Sequence, residues 1–176
     1  DVIMIGEIRD LETAQIAVQA SLTGHLVLAT LHTNDTTSAV TRLVDMGIEP
    51  FLLASSLTGV LAQRLVRRLC PACRTPYVPD DGEWALFSAT APRPPQLYRA
   101  QGCPECNHTG YQGRMGIHEL LEIDDTLRRM MHDRTSDQQL RTHALAQGMR
   151  PLREDGLRWL CDGQTTLEEL LRATRD

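Results

Sequence analysis

The segment DVIMIGEIRD, residues 1–10, indicates the fold class of the chain. Its apolar run, residues 2–5, is typical of a fully buried strand in a parallel sheet. A carboxylate, Glu7, follows this run, and Asp10 can cap a helix over residues 11–22. Because a buried strand leads directly into a helix, we predict an α/β fold.

The alternation of strands and helices continues to residue 69. The further predicted elements are a buried strand over 25–31, a helix over 36–46 ended by Gly47, a helix over 50–57 opened by Pro50, and a segment over 60–69 that fits either a strand or a helix. For that last segment we favour a strand. Strands that alternate with helices predict a parallel sheet with flanking helices over residues 1–69.

The composition excludes several classes of protein. With 176 residues, of which 41% are hydrophobic, the chain can bury a core. Its net charge of −5 argues against a general nucleic-acid or anionic-membrane binder, so we expect no nucleic-acid partner. No apolar run approaches the roughly 20 residues that span a bilayer, and no secretion signal opens the chain. We therefore expect a cytoplasmic protein.

All 18 basic residues are arginines. A phosphate-binding loop of the G-x-x-x-x-G-K-[ST] type needs its lysine to reach the β- and γ-phosphates. This chain therefore cannot contain a complete loop of that type. Because a buried strand is an unusual start for a domain, we interpret the chain as the C-terminal piece of a longer protein.

Residues 70–117 contain two C-x-x-C motifs. Cys70 and Cys73 form the first motif, Cys103 and Cys106 form the second, and 29 residues separate the two. Four thiolates at this spacing predict a closed, structural zinc site, while an iron site and disulfide pairing remain as alternatives. The segment holds seven of the nine prolines and shows little periodicity, so we expect it to need the metal in order to fold.

Residues 118–176 are predicted to form an all-helical C-terminal tail. Residues suited to begin helices recur along this part, namely Asp124, Ser136 with Gln139, Pro151, and Thr166 with Glu169. Cys161 lies alone within a helical pattern, and we expect it to be a small core residue.

Glu7 and His32 are predicted to meet at one edge of the sheet. Each follows the end of a predicted strand, and the carboxyl ends of parallel strands are where such sheets bind ligands. A glutamate there can orient or deprotonate water beside a nucleotide, although an acidic residue after a strand is also a common cap. His25 opens its strand, so it belongs at the opposite edge, where we expect a structural role.

Three blocks of the sequence resemble the hexameric ATPases that drive type II secretion, type IV pilus assembly and type IV secretion. They are DVIMIGEIRD at 1–10, TGHLVLATLHTN at 23–34 and LAQRLVRRLC at 61–70. The two C-P-x-C motifs, GYQGRMGIHE at 110–119 and the helical tail narrow the resemblance to the general secretory pathway protein E family, the ATPases of type II secretion systems.

The resemblance implies a domain organisation and residue roles. The implied parts are the C-terminal part of a RecA-like P-loop ATPase domain over 1–69, a four-cysteine zinc-binding domain over 70–117, and a helical C-terminal domain over 118–176. Glu7 matches the Walker B glutamate that is taken as the catalytic base. His25 and His32 match the histidine box, with His32 expected at the γ-phosphate. The zinc ligands are matched by Cys70, Cys73, Cys103 and Cys106.

For the full-length protein, the resemblance implies ATP and Mg²⁺ as ligands and assembly as a homo-hexamer. It also implies contact with inner-membrane platform proteins, on the cytoplasmic face of the inner membrane. The chain alone is expected to be inactive because it lacks the P-loop. The alternatives are a type IV pilus assembly ATPase, a non-catalytic interaction module held by zinc, and a zinc ribbon that binds nucleic acid, against which the acidic balance argues.

Overall fold

The computed structural model describes residues 1–87 and 92–174. The chain divides into two compact units. The unit that we call the α/β unit comprises Asp1–Ala62 and Glu119–Arg150. The second, which we call the cysteine unit, comprises Gln63–His118 and Pro151–Asp176.

The described residues form short strands and helices. In chain order the strands are β1 (Val2–Ile5), β2 (Leu26–Ala29), β3 (Gly59–Leu69), β4 (Thr75–Tyr77), β5 (Leu97–Arg99) and β6 (Tyr111–Glu122). The helices are α1 (Leu11–Leu22), α2 (Thr36–Asp45), α3 (Pro50–Ser56), α4 (Asp81–Ala85), α5 (Asp125–His132), α6 (Asp137–Ala146), α7 (Leu152–Cys161) and α8 (Leu167–Ala173). Among them, none has both the length and the hydrophobicity needed to cross a lipid bilayer.

Strands β1 and β2 form a parallel pair in the α/β unit. Val2 lies opposite Leu26, and Ile5 lies opposite Ala29. The predicted α/β fold is confirmed, but the expectation of a fully buried first strand is wrong, since Val2 is 65% exposed and Met4 is 81% exposed. A parallel strand is buried on both faces only where further strands and helices cover it, and within the described residues β1 pairs with β2 alone.

The helices of the α/β unit begin and end close to the predicted residues. The side chain of Asp10 accepts a hydrogen bond from Thr13 N at 2.8 Å and caps α1. Asp35 caps α2 in the same way through Ser38 N, also at 2.8 Å. Helix α2 ends before Gly47, whose φ of +104° is a conformation that favours glycine. The cap and the glycine therefore fix both ends of α2 locally.

Residues 119–150 belong to the α/β unit, although they lie far along the chain. Leu121 from β6 and Leu127 from α5 are buried in one hydrophobic core with Leu53 from α3. The strand predicted over 60–69 is confirmed as β3, but residues 118–122 of the predicted helical tail continue strand β6. The two compact units therefore do not coincide with the consecutive parts 1–69, 70–117 and 118–176.

The cysteine unit has a core that the segment 70–117 shares with α7 and α8. Leu97 from β5, Leu160 from α7 and Leu170 from α8 are fully buried. Helix α8 begins at Thr166, whose hydroxyl accepts a hydrogen bond from Glu169 N at 3.2 Å. The expectation that Cys161 is a core residue is wrong because Cys161 is exposed at the end of α7.

Candidate functional site

Glu7 and His32 lie together at the carboxyl ends of β1 and β2, as the sequence predicts. Oε1 of Glu7 contacts Nε2 of His32, and the guanidinium of Arg9 contacts Oε2 of the same carboxylate. The Glu7 side chain is 19% exposed, whereas that of His32 is 91% exposed. A largely shielded carboxylate thus faces an imidazole that is open to solvent.

Thr30 holds the backbone on both sides of Glu7. The amide of Ile8 donates to Thr30 O at 2.9 Å, and the hydroxyl of Thr30 donates to Gly6 O at 2.5 Å. These two hydrogen bonds extend the pairing of the parallel strands beyond Ile5 and Ala29. Glu7 is therefore fixed between Gly6 and Ile8, which are both hydrogen-bonded to Thr30. The sequence did not predict this role of Thr30.

His25 lies at the other end of β2, as expected from its place at the start of the strand. Its Nδ1 is 3.1 Å from the hydroxyl of Thr23 and 3.2 Å from the carbonyl oxygen of Ala20 at the end of α1. The structure thus brings His32, and not His25, to Glu7. The contacts of His25 suit a local structural role.

Glu7 and His32, which we call the strand-end pair, have side chains that can accept or donate a proton beside a ligand. Oε1 of Glu7 is a buried atom, and Nε2 of His32 lies in close contact with it. A carboxylate oxygen beside an imidazole nitrogen can exchange a proton with it. His32 also borders an open cleft of about 370 Å³, whose lining includes Asn34, Ser38 and Arg42.

The four predicted cysteines converge in the cysteine unit. The sulfur atoms of all four lie within 4.8 Å of one another. Sγ of Cys70 is 3.9 Å from Sγ of Cys103, and Sγ of Cys106 is 3.8 Å from the sulfurs of both Cys73 and Cys103. A tetrahedral ion with metal–sulfur bonds of about 2.3 Å needs sulfur–sulfur edges of about 3.8 Å, so the arrangement fits one metal ion.

Backbone N–H groups stabilise the thiolate form within this cluster, and thiolates are the form that binds a cation. Burial of the Cys106 thiol opposes its ionisation, but the N–H groups of Cys103 and Gly110 each donate to its sulfur at 3.2 Å. As a result the pKa of Cys106 falls to about 6, while burial raises the pKa of Cys73 to about 11. A bound cation favours the thiolate form of all four side chains, so metal binding releases protons here.

His108 follows the second C-x-x-C motif but is not part of the metal-binding group that the described residues form. The group formed by the described residues consists of the four cysteine sulfurs. Residues 107 and 108 follow the second C-x-x-C motif with φ values of +51° and +59°. This left-handed turn lets the amides after the motif point back towards the sulfurs, which explains the N–H of Gly110 at Cys106.

Comparison with known proteins identifies the family. The sequence profile of the family described as Type II/IV secretion system protein matches residues 1–172. The chain belongs to this family. Both the strand-end pair and the cysteine cluster lie within the matched residues.

Individual members of the family are closely similar to the chain. Over 176 residues it is 67% identical to the type II secretion system protein HxcR of Pseudomonas aeruginosa and 58% identical to the type II secretion system ATPase E of Vibrio cholerae. Over 174 residues it is 49% identical to the type IV pilus assembly ATPase TfpB of Acinetobacter baylyi. The matched part makes up 34%, 35% and 30% of these proteins, so the chain spans about a third of their length.

Solved structures of related ATPases share the fold. The crystal structure of the pilus retraction motor PilT with bound ADP superposes on this chain with a TM-score of 0.66 at 25% identity. The match covers 100% of this chain and 40% of the PilT chain. The ATPase DotB of Legionella pneumophila superposes with a TM-score of 0.63 at 18% identity, over 96% of this chain and 37% of that chain. The chain thus has an α/β fold resembling PilT and DotB.

Proposed function

We propose that the chain is the C-terminal portion of a hexameric ATPase that powers type II protein secretion. In this role, ATP hydrolysis would drive pseudopilus assembly and export across the outer membrane. The observation that carries the proposal is the contact between Glu7 and His32 at the carboxyl ends of parallel strands. Family membership over residues 1–172 and 67% identity to a type II secretion system protein support it.

In this proposal residues 1–69 supply the C-terminal part of a RecA-like domain. Within it, one glutamate and two histidines have distinct roles. Glu7 acts as the general base on the attacking water, and the shielded Oε1 suits that task. His32 senses the γ-phosphate, while His25 serves the stability of the strand. ATP and Mg²⁺ bind in the full-length protein, where Mg²⁺ neutralises charge on the phosphates.

The proposed test compares the two histidines in the full-length protein. Replacing His32 with alanine should lower kcat about tenfold or more, which is about 1.4 kcal/mol of transition-state stabilisation. His25→Ala is the matched control, and it should act on thermal stability instead. Steady-state hydrolysis and thermal unfolding measured on both variants check this. An equal loss of kcat at equal stability would contradict the proposed roles.

The chain alone should hydrolyse ATP no faster than buffer does. It has no lysine and therefore no complete P-loop to hold the β- and γ-phosphates, and positioning supplies most of the catalysis in phosphoryl transfer. Phosphate release by the purified chain is the measurement. Steady, Mg²⁺-dependent release that disappears in Glu7→Gln would contradict this expectation.

We propose zinc as the ion of the cysteine cluster, in a closed and structural site. Four thiolates in a tetrahedral arrangement are the donor set of structural zinc sites, which leave no open position for catalysis. We further propose that the cysteine unit contacts a neighbouring subunit of the hexamer or the inner-membrane platform proteins. The protein would then work in the cytoplasm, peripherally at the inner membrane.

A type IV pilus assembly ATPase is the second candidate, because TfpB is 49% identical over 174 residues. The higher identity to type II secretion proteins favours the first candidate. Complementation separates the two. The full-length gene should restore export in a strain lacking its type II secretion ATPase and should not restore pili in a strain lacking its pilus assembly ATPase, whereas the reverse result would favour the second candidate.

A further inference from the structure

Glu119 is a buried carboxylate with no part in the chemistry proposed above. It lies on β6 within the α/β unit, with 1% of its surface exposed. Its Oε1 accepts two hydrogen bonds from Thr36, one from the backbone amide at 3.1 Å and one from the hydroxyl at 2.6 Å. Thr36 is itself fully buried, and its hydroxyl also lies 3.5 Å from the sulfur of Met149. A carboxylate is rarely buried this deeply unless its partners hold it in one position.

The residue that Glu119 holds is the first residue of α2, directly after the loop that carries His32. The loop, residues 32–35, leaves the end of β2 and enters α2 at Thr36. The helix start is capped twice, because Asp35 accepts from Ser38 N and Glu119 accepts from Thr36 N. The two carboxylates thus satisfy different amides of the first turn, which a helix leaves without internal partners.

Arg141 from α6 lies between these two carboxylates. Its Nη2 is 3.5 Å from Oε2 of Glu119, and its Nη1 is 3.9 Å from Oδ2 of Asp35. One positive charge therefore offsets the repulsion between two negative charges at the same helix start. The end of the His32 loop is consequently anchored by β6 and α6, elements more than 80 residues further along the chain.

We infer that Glu119 is a positioning residue for His32. It fixes the start of α2, and the strand pairing around Thr30 fixes the start of the loop, so His32 is held from both sides. The inference rests on the proposed role of His32 in ATP hydrolysis. Without Glu119 or its hydrogen bonds, the loop should remain folded but should hold the imidazole less firmly against Glu7.

Glu169 offers a matched control in the cysteine unit. It is as buried as Glu119, it accepts a hydrogen bond from the backbone amide of Arg67 at 3.0 Å, and it contacts Arg67 and Arg172. Neutralising either glutamate should therefore lower stability for the same physical reason. Only the change at Glu119 should alter the His32 loop.

Hydrogen exchange on the purified chain tests the structural half of the inference. In Thr36→Val, which removes the hydroxyl, the amides of residues 32–36 should exchange about tenfold faster, and Thr36→Ser should restore wild-type exchange. Glu119→Gln replaces the charged acceptor with a neutral amide oxygen and removes the charge opposite Arg141, so exchange at residues 32–36 should shift in the same direction as in Thr36→Val, while Glu169→Gln should leave residues 32–36 unchanged. Unchanged exchange in Thr36→Val, or equal effects of the two glutamine variants, would overturn the inference.

Steady-state ATP hydrolysis by the full-length protein tests the functional half. Thr36→Val should lower kcat about fivefold to tenfold with little change in the KM for ATP, because a positioning defect acts on the transition state. Thr36→Ser should recover most of the loss, and Glu169→Gln should keep wild-type kcat. A wild-type kcat in Thr36→Val, together with a reduced kcat in His32→Ala, would overturn this inference and leave the proposed function standing. If His32→Ala is itself fully active, the proposed function fails even where the exchange result holds.

Discussion

The two compact units support their functional groups in different ways. In the α/β unit, Glu7 and His32 are held by hydrogen bonds of the strand ends and by a buried aliphatic core. In the cysteine unit, four thiols lie at tetrahedral distances, and the strands between the two C-x-x-C motifs, β4 and β5, are only three residues long. The difference indicates that packing and strand-end hydrogen bonds hold the first site, whereas the second has the geometry for the metal ion that we propose.

Loss of a cysteine ligand should have the largest effect, and it should be confined to the cysteine unit. A structural zinc ion contributes on the order of 10 kcal/mol or more to folding, far more than any single packing contact. Cys103→Ser should therefore lose the metal and make residues 70–111 sensitive to protease, while α1 and α2 keep their protection. Elemental analysis and limited proteolysis are the measurements.

Cys161 provides the control for that experiment. It is exposed and is not part of the four-sulfur group, so Cys161→Ser should retain one zinc ion per chain and wild-type protease resistance. Loss of zinc in both variants would show that the ligand set is wrong. Iron in place of zinc would contradict the identity of the ion.

Removing the charge of Glu169 should have the next largest effect, and the effect should depend on pH. Burial opposes ionisation, but hydrogen bonds from Arg172 and Arg67 lower the pKa of Glu169 to about 2. Because the folded pKa is depressed, the stabilisation is complete above the unfolded value of about 4.3 and disappears as the pH falls towards 2. The expected contribution at pH 7 is about 3 kcal/mol.

The measurement is the free energy of unfolding of wild type and Glu169→Gln at several pH values. The difference between them should be about 3 kcal/mol at pH 7 and should shrink between about pH 4 and pH 2. The comparison extends down to the lowest pH at which both proteins retain the metal, because its loss would unfold the unit that contains Glu169. A difference that stays constant across this range would contradict the assigned pKa.

Glycine-to-alanine substitutions should give a smaller effect that again differs between the units. A Cβ on Gly156 in α7 would lie 2.2 Å from Cδ1 of Leu170, which is fully buried, so the leucine side chain would have to shift within a packed core. Gly156→Ala should therefore lower stability by about 1–3 kcal/mol. Gly6 in the α/β unit has no atom within 4 Å of such a Cβ, so Gly6→Ala should change stability by about 0.5 kcal/mol or less. Urea denaturation of both variants checks this, and equal losses would show that the packing of α7 on α8 is misplaced.

Local patterns predicted much of the fold and of both sites. Capping by Asp10 and Asp35 and the positive φ of Gly47 act within a few residues, so sequence reasoning placed α1 and α2 correctly. The cysteine cluster was predictable because two C-x-x-C motifs restrict four sulfurs to one place. Glu7 and His32 were predictable because parallel strands bring their carboxyl ends to one edge.

Features that depend on distant parts of the chain were not predictable. Thr36 and Glu119 are separated by 83 positions, and no periodicity or motif links them. Residues 119–150 belong to the α/β unit because its core buries Leu121 and Leu127. A helical sequence pattern shows that such residues are buried, but it does not show in which core. The exposure of Val2 likewise depends on which strands cover β1, and not on its apolar sequence.

The proposed role of Glu7 is to act on bound ATP at the end of β1. Its most direct test is to measure ATP binding and ATP turnover on one preparation of the full-length Glu7→Gln variant. We predict that turnover falls about 100-fold or more, because the general base is lost, while the Kd for ATP changes less than about threefold. Turnover that persists in this variant, or lost ATP binding as the main defect, would contradict the account.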